Sequence, residues 1–201
     1  MPESVETKGG LPVLSFASAR AWQAWLAKQP ADAAGVWLKL AKKGADAPSV
    51  GKAEAIEAAL CHGWIDGQID AYDAHWWLVR MTPRKARSRW SQNNRSTALR
   101  LIAQGRMQPR GLAQVQAAQA DGRWDDAYPG QGNATVPDDL QAALDASPAA
   151  SAFFAQLRGA NRFAILYRVH DAKTPATRAR RIAQFIGMLE RGEVLHPGSK
   201  P

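Results

Sequence analysis

At Pro83 the periodicity of this chain changes, and no other feature limits its fold as strongly. Before Pro83, short stretches alternate. Residues 35–40 (GVWLKL) set Val36, Leu38 and Leu40 against Trp37 and Lys39, the two-residue period of a strand. Residues 64–71 and 75–81 read as two more strands, joined by a turn at Tyr72–Ala74. Two helices are interleaved with them. Residues 17–28 space Trp22, Trp25 and Leu26 helically, with Ser15 or Ser18 as cap and Pro30 just past the end. Residues 52–62 are alanine-rich and stop at Gly63.

After Pro83 every periodic segment is helical. Ser91 opens residues 92–104 and Gly105 closes them; Pro109 sits in the first turn of a helix running to about Ala120. Further helices open at Pro137 and at Ser147-Pro148, run over residues 161–170, and extend from Thr174-Pro175 to about Arg191. The last one places Ile182, Phe185, Ile186 and Leu189 on one face. The pattern predicts an α+β chain: a small antiparallel β-sheet with helices in the N-terminal half, and an all-helical C-terminal half. The stretch PGQGNAT marks a linker. It divides the chain into an α+β domain over 11–128, a linker over 129–136 and a helical region over 137–193. The tail HPGSKP reads as frayed.

The break at Pro83 lies inside a stretch without acids. From Ala74 to Ala120 there is no Asp or Glu, and there are nine cations: Arg80, Arg84, Lys85, Arg87, Arg89, Arg95, Arg100, Arg106 and Arg110. The whole protein carries +8, so everything outside this stretch sums to −1. A positive field concentrated in this way attracts phosphates, carboxylates or an acidic partner. The competing outcome is that the aspartate-rich connector over residues 121–157, net −5, folds back and neutralises it.

Two strings carry most of the chemistry. In WIDGQ, Trp64 and Gly67 flank Asp66, which is either a site carboxylate or, as the favoured reading, the ion-pair partner of an arginine. Gly67 marks a bulge or a close backbone approach. In RMTPRKARSRWSQNN, the guanidinium forks of Arg80, Arg84 and Arg87 stand among the hydroxyls of Thr82, Ser88 and Ser91 and the amide of Asn94. With free N–H groups at a helix start after Ser91, they would make an anion cradle. Trp90 would stack on a base or on an arginine, or else plug the core. The alternative to the cradle pairs Arg80 and Arg84 with Asp66 or Asp70.

Other chemistries find no support in the residue pattern. Adjacent helical positions point about 100° apart, so Cys61 and His62 do not make a nucleophile and its base. The four histidines lack metal-ligand spacing, and there is no phosphate-loop, dinucleotide or Gly-x-Ser-x-Gly pattern; no cofactor or metal is implied. A single cysteine excludes an internal disulfide and suits a reducing compartment. No apolar run approaches the roughly 20 residues of a membrane helix, and MPESVETKGGLPV has no secretory pattern, so the expected location is the cytoplasm.

The segments ALCHGWIDGQ, RMTPRKARSRWSQNN, LIAQGRM, GLAQVQAAQADGRWDDAY and residues 153–193 together resemble the YdeI/OmpD-associated, bacteriocin-protection family over about residues 11–193. Trp64, Asp66, Gly67, Thr82, Pro83, Arg84, Arg87, Ser88, Trp90, Ser91 and Asn94 fit the family pattern; Ala176 stands where the family often has an acid. The resemblance implies protection against bacteriocins or cationic antimicrobial peptides with an envelope link, and transfers no catalytic residue. The reading that follows is a non-enzymatic stress or bacteriocin-protection protein. It would bind an anionic partner, nucleic acid or a phosphorylated ligand, through the basic patch. The alternatives are an enzyme acting on a small anionic substrate through Asp66, Arg84 and Arg87, or a module for a protein partner.

Overall fold

The computed structural model describes residues 5–197, so the last four residues of the HPGSKP tail lie outside the described residues. It divides into two compact units: the chain up to Trp90 together with Asn94–Asp126, and Ser91–Asn93 together with the chain from Ala127 onward.

The first unit runs β1 (Thr7–Lys8), β2 (Leu11–Ser15), α1 (Ala19–Ala27), β3 (Val36–Ala41), α2 (Lys52–Cys61), β4 (Trp64–Ala71), β5 (Trp76–Pro83), most of α3 (Gln92–Ala103), and α4 (Pro109–Ala120). Strands β3, β4 and β5 fall where the alternation placed them. β1 and β2 were not anticipated. They form a hairpin across Gly9-Gly10, whose φ values of 55° and 77° suit the tight turn that matches strand twist. Because α1 carries the chain from β2 to β3, those two strands pair in parallel. The α+β class stands, but the sheet is mixed rather than purely antiparallel, with five strands in the order β1-β2-β3-β5-β4.

One sheet face carries the main core. Trp22 and Leu26 of α1 and Ala55, Ala58 and Ala59 of α2 pack on Val36, Leu38, Leu40, Trp64, Val79 and Met81. Ser18 caps α1 by accepting from the Ala21 N–H at 3.3 Å, and the Trp22 indole donates to the Ala55 carbonyl at 3.1 Å, so a buried polar atom is satisfied as the helices meet. A smaller cluster of Leu11, Val13, Trp37 and Leu78 covers part of the other face. The start of α4 crosses the end of α2 at Gly111. A Cβ there would lie 2.3 Å from the Cys61 carbonyl oxygen and 2.7 Å from that of Leu60, so only glycine permits the approach.

The second unit contains α5 (Asp138–Asp145), α6 (Pro148–Gln156), α7 (Gly159–His170) and α8 (Pro175–Glu190). Ser147 and Thr174 cap α6 and α8, each followed by proline at the first helical position. Leu140, Leu144, Phe154, Leu157, Ile165, Val169, Ile182, Phe185 and Leu189 form its core. Asp139, in the first turn of α5, holds Arg178 of α8 through two hydrogen bonds of 2.5 and 2.8 Å. Among the described residues no helix is long and apolar enough to cross a membrane.

Candidate functional site

Strand β4 is the sheet edge, and it carries the WIDG string. Trp64 is 1% exposed and meets Trp25 edge-on at 5.7 Å, as a core residue. The register of β4 on β5 slips between Asp66 and Ile69, so Gly67 lies in a bulge opposite Arg80. The expected ion pairs of Asp66 are absent. Asp66 lies opposite Met81, whose side chain enters the core face, whereas Arg80, one residue earlier, points to the other face. Among the described residues, the half-buried Asp66 carboxylate has no hydrogen bond or ion pair. Asp70, the other proposed partner, is taken by Lys8 at 2.5 Å.

Downstream of β5 the motif folds into a tight loop. The Ser88 hydroxyl accepts from the Lys85 N–H at 2.9 Å, and the Ser88 N–H donates to the Lys85 carbonyl at 2.9 Å. Arg123 clamps the loop by donating to the Ser88 carbonyl at 2.8 Å. Arg84 turns inward and is only 6% exposed; its guanidinium lies 3.6 Å from the Trp90 ring centroid and donates to the Arg89 carbonyl at 3.2 Å. Trp90 is 1% exposed and packs edge-on against Trp124 at 4.8 Å. It therefore stacks on an arginine, and its burial withdraws it from any incoming base. Thr82 is half-buried, with its methyl group against Gly35. Ser91 is buried and pairs through its backbone with Tyr128. The next N–H, of Gln92, donates to the Tyr128 carbonyl at 2.8 Å, so the start of α3 does not present it to an anion. Asn94 sits half-buried in the first turn of α3.

The nine cations divide into three groups. Carboxylates take three: Arg89 pairs with Asp126 at 3.1 Å, while Arg100 and Arg106 share Glu57 at 2.6 and 2.9 Å. These two arginines hold the Glu57 carboxyl below its ordinary range, chiefly through the hydrogen bond from Arg100. Three others are anchored by an aromatic ring or a backbone carbonyl. Arg84 lies on Trp90, Arg95 donates to the Trp124 carbonyl at 3.1 Å, and Arg110 donates to the Gln29 carbonyl. The last three, Arg80, Lys85 and Arg87, are exposed and have no side-chain partner among the described residues. The aspartate-rich connector contributes Asp126, the partner of Arg89.

A cavity of about 130 Å³ lies beside this motif in the first unit, with His62, Trp64, Arg84, Arg110 and Gln114 on its walls. Asp66 does not line it. His62 and Gln114 were not singled out as binding residues from sequence, and nothing in their spacing from residue 84 could have shown it; the crossing at Gly111 brings α2 and α4 together there. A larger cavity, about 820 Å³, lies in the second unit between α5 and α8, but its walls are mostly apolar, and Asp139 and Arg178 there already bind each other. Cys61 is buried, and burial pushes its thiol up, away from a reactive thiolate. Among the described residues no group of His, Cys, Asp or Glu could hold a metal ion.

The chain is therefore an α+β unit with a positively charged loop, together with an all-helical unit. Residues 14–114 match the model of a domain of unknown function (DUF8412), and residues 133–192 match the bacteriocin-protection, YdeI or OmpD-associated model. The chain belongs to the DUF8412 family and carries a YdeI/OmpD-associated bacteriocin-protection domain as its helical C-terminal region. Both the WIDG and the TPR-to-WSQNN motifs fall within the first of these models. No curated protein and no solved structure matches the chain.

Proposed function

We propose that this protein is a non-enzymatic, protection-type protein that binds an anionic partner through the loop following β5. One observation carries the reading: Arg80, Lys85 and Arg87 are exposed and have no side-chain partner among the described residues, while Glu57 and Asp126 are held by other arginines. The Ser88-closed turn holds Lys85 and Arg87 on one short loop, and no acid occurs in the sequence from Ala74 to Ala120 to oppose them. With Trp90 buried, the patch offers charge without a stacking platform, so it recognises phosphate groups rather than base sequence. The single cysteine, buried and inert, suits a reducing compartment such as the cytoplasm. We retain the division into domains at 11–128 and 137–193 joined by 129–136 as part of this proposal.

The enzyme reading loses its support because Asp66 does not share the cavity beside Arg84. The test is fluorescence anisotropy with a labelled single-stranded oligonucleotide at low salt. The wild-type chain is expected to bind, and the triple variant Arg80→Ala, Lys85→Ala, Arg87→Ala to bind at least tenfold more weakly. Equal binding by both proteins, or none by either, overturns the proposal.

A further inference from the structure

The cavity between the end of α2 and the start of α4 gathers several hydrogen-bond donors that have no protein partner among the described residues. Arg110 gives its Nη1 to the Gln29 carbonyl, which leaves Nε and Nη2 without a partner among the described residues. The half-buried His62 ring and the half-buried Gln114 amide, on the same walls, also have none. Trp64, 1% exposed, lines the same space, and its indole N–H makes no hydrogen bond among the described residues. Of the four, Trp64 is buried, His62 and Gln114 are half-buried and Arg110 is exposed, so the unmatched indole is the donor that most needs a partner. Each of the four side chains offers a donor, and no acidic residue lines the space.

We infer that this cavity is a binding site for a compact tetrahedral oxyanion, of the phosphate class, held by Arg110, His62, Gln114 and Trp64. Size favours this class. About 130 Å³ is room for roughly four water molecules at about 30 Å³ each, well short of the ~300 Å³ at which drug-sized ligand pockets begin. A phosphate group fits; a nucleoside does not. Charge favours it as well. Burial, and then the positive charge of Arg110, hold the His62 imidazole below its ordinary value, so near neutral pH the ring is uncharged and gives one N–H. An anion in the cavity would counter the charge of Arg110 and favour the protonated ring. The inference deepens the anion-binding proposal and shares with it only the sign of the ligand. Arg80, Lys85 and Arg87 do not line this cavity.

The test is an NMR titration of the full chain with inorganic phosphate at low salt, following the His62 ring proton, assigned by its loss in His62→Gln. Parallel titrations use glycerol phosphate and acetate. The expected result is a saturable displacement with phosphate, weakened at least tenfold in Arg110→Ala and partly restored in Arg110→Lys, with acetate much weaker. Saturation by glycerol phosphate as well marks the terminal phosphate of a larger ligand, and saturation by inorganic phosphate alone marks the free ion; both support the site. A displacement that never saturates, one unchanged in Arg110→Ala, or acetate binding as tightly as phosphate overturns it. Tryptophan fluorescence checks that each variant is folded. The Arg80, Lys85, Arg87 triple variant is expected to keep the His62 response while losing oligonucleotide binding, so each proposal can fail without the other.

Discussion

Substituting Gly111 tests the packing that holds the cavity open. In an ordinary helix Gly→Ala gains about 1 kcal/mol. At this position the new Cβ would stand 2.3 Å from one backbone oxygen, 2.7 Å from another and 2.8 Å from the Met107 methyl. The methionine can swing away, but the carbonyls of Leu60 and Cys61 belong to the last turn of α2 and move only with the helix. Overpacking of this kind costs about 1–3 kcal/mol, occasionally more, and two rigid contacts place it at the upper end. After the helix gain is subtracted, Gly111→Ala should lose about 2 kcal/mol. At a few degrees per kcal/mol for a unit of this size, the midpoint falls by roughly 6–10 °C. All eight tryptophans (Trp22, Trp25, Trp37, Trp64, Trp76, Trp77, Trp90 and Trp124) lie in the first unit, so their fluorescence reports its unfolding alone. Gly187→Ala in α8 is the matched control. It is also helical, but its Cβ would meet nothing closer than the Arg191 guanidinium at 3.5 Å. It should stabilise the second unit by up to about 1 kcal/mol in calorimetry. A Gly111→Ala protein as stable as the wild type would refute the reasoning.

Other consequences follow from the same geometry. Asp66→Ala should change stability by less than about 1 kcal/mol in urea titration, because no ion pair is broken; a loss of about 3–5 kcal/mol would reveal a buried partner. Trp90→Ala should cost about 3–5 kcal/mol by the same assay, since it empties the space between Arg84 and Trp124; a loss below 1 kcal/mol would show that the cluster contributes little. Glu57 has its carboxyl held below the ordinary 4.5, so its bridges to Arg100 and Arg106 stabilise fully above that value and fade as pH falls through the folded pKa. Being partly exposed, they contribute at most about 1 kcal/mol, and Glu57→Gln should flatten the acid limb of the stability profile. An unchanged acid limb would place the titration elsewhere.

The sequence made the packing faces legible but not the register. Trp22 with Leu26, and Ile182 with Phe185 and Leu189, are buried as their spacing predicts, because amphipathic periodicity records which face is covered. The β1–β2 hairpin escaped notice. Thr7–Lys8 is too short to show alternation, and Leu11–Ser15 gains its place only by pairing in parallel with β3, which is decided by where α1 returns the chain. The cations could be counted from sequence, but their partners could not. Asp66 and Arg80 lie close across two strands yet on opposite faces, while Glu57, some forty residues from Arg100, sits within its reach. His62, Arg110 and Gln114 meet only because Gly111 lets two helices touch, a contact without a local signature.

The most direct test of the central claim is the salt dependence of binding to single-stranded oligonucleotide, compared between the wild-type chain and the Arg80→Ala, Lys85→Ala, Arg87→Ala variant. Each phosphate contact contributes about 0.7 to the slope of log affinity against log salt. Three free cations at work predict a slope shallower by about 2 in the variant. Parallel lines for the two proteins would contradict the claim and return these side chains to the role of ordinary surface charge.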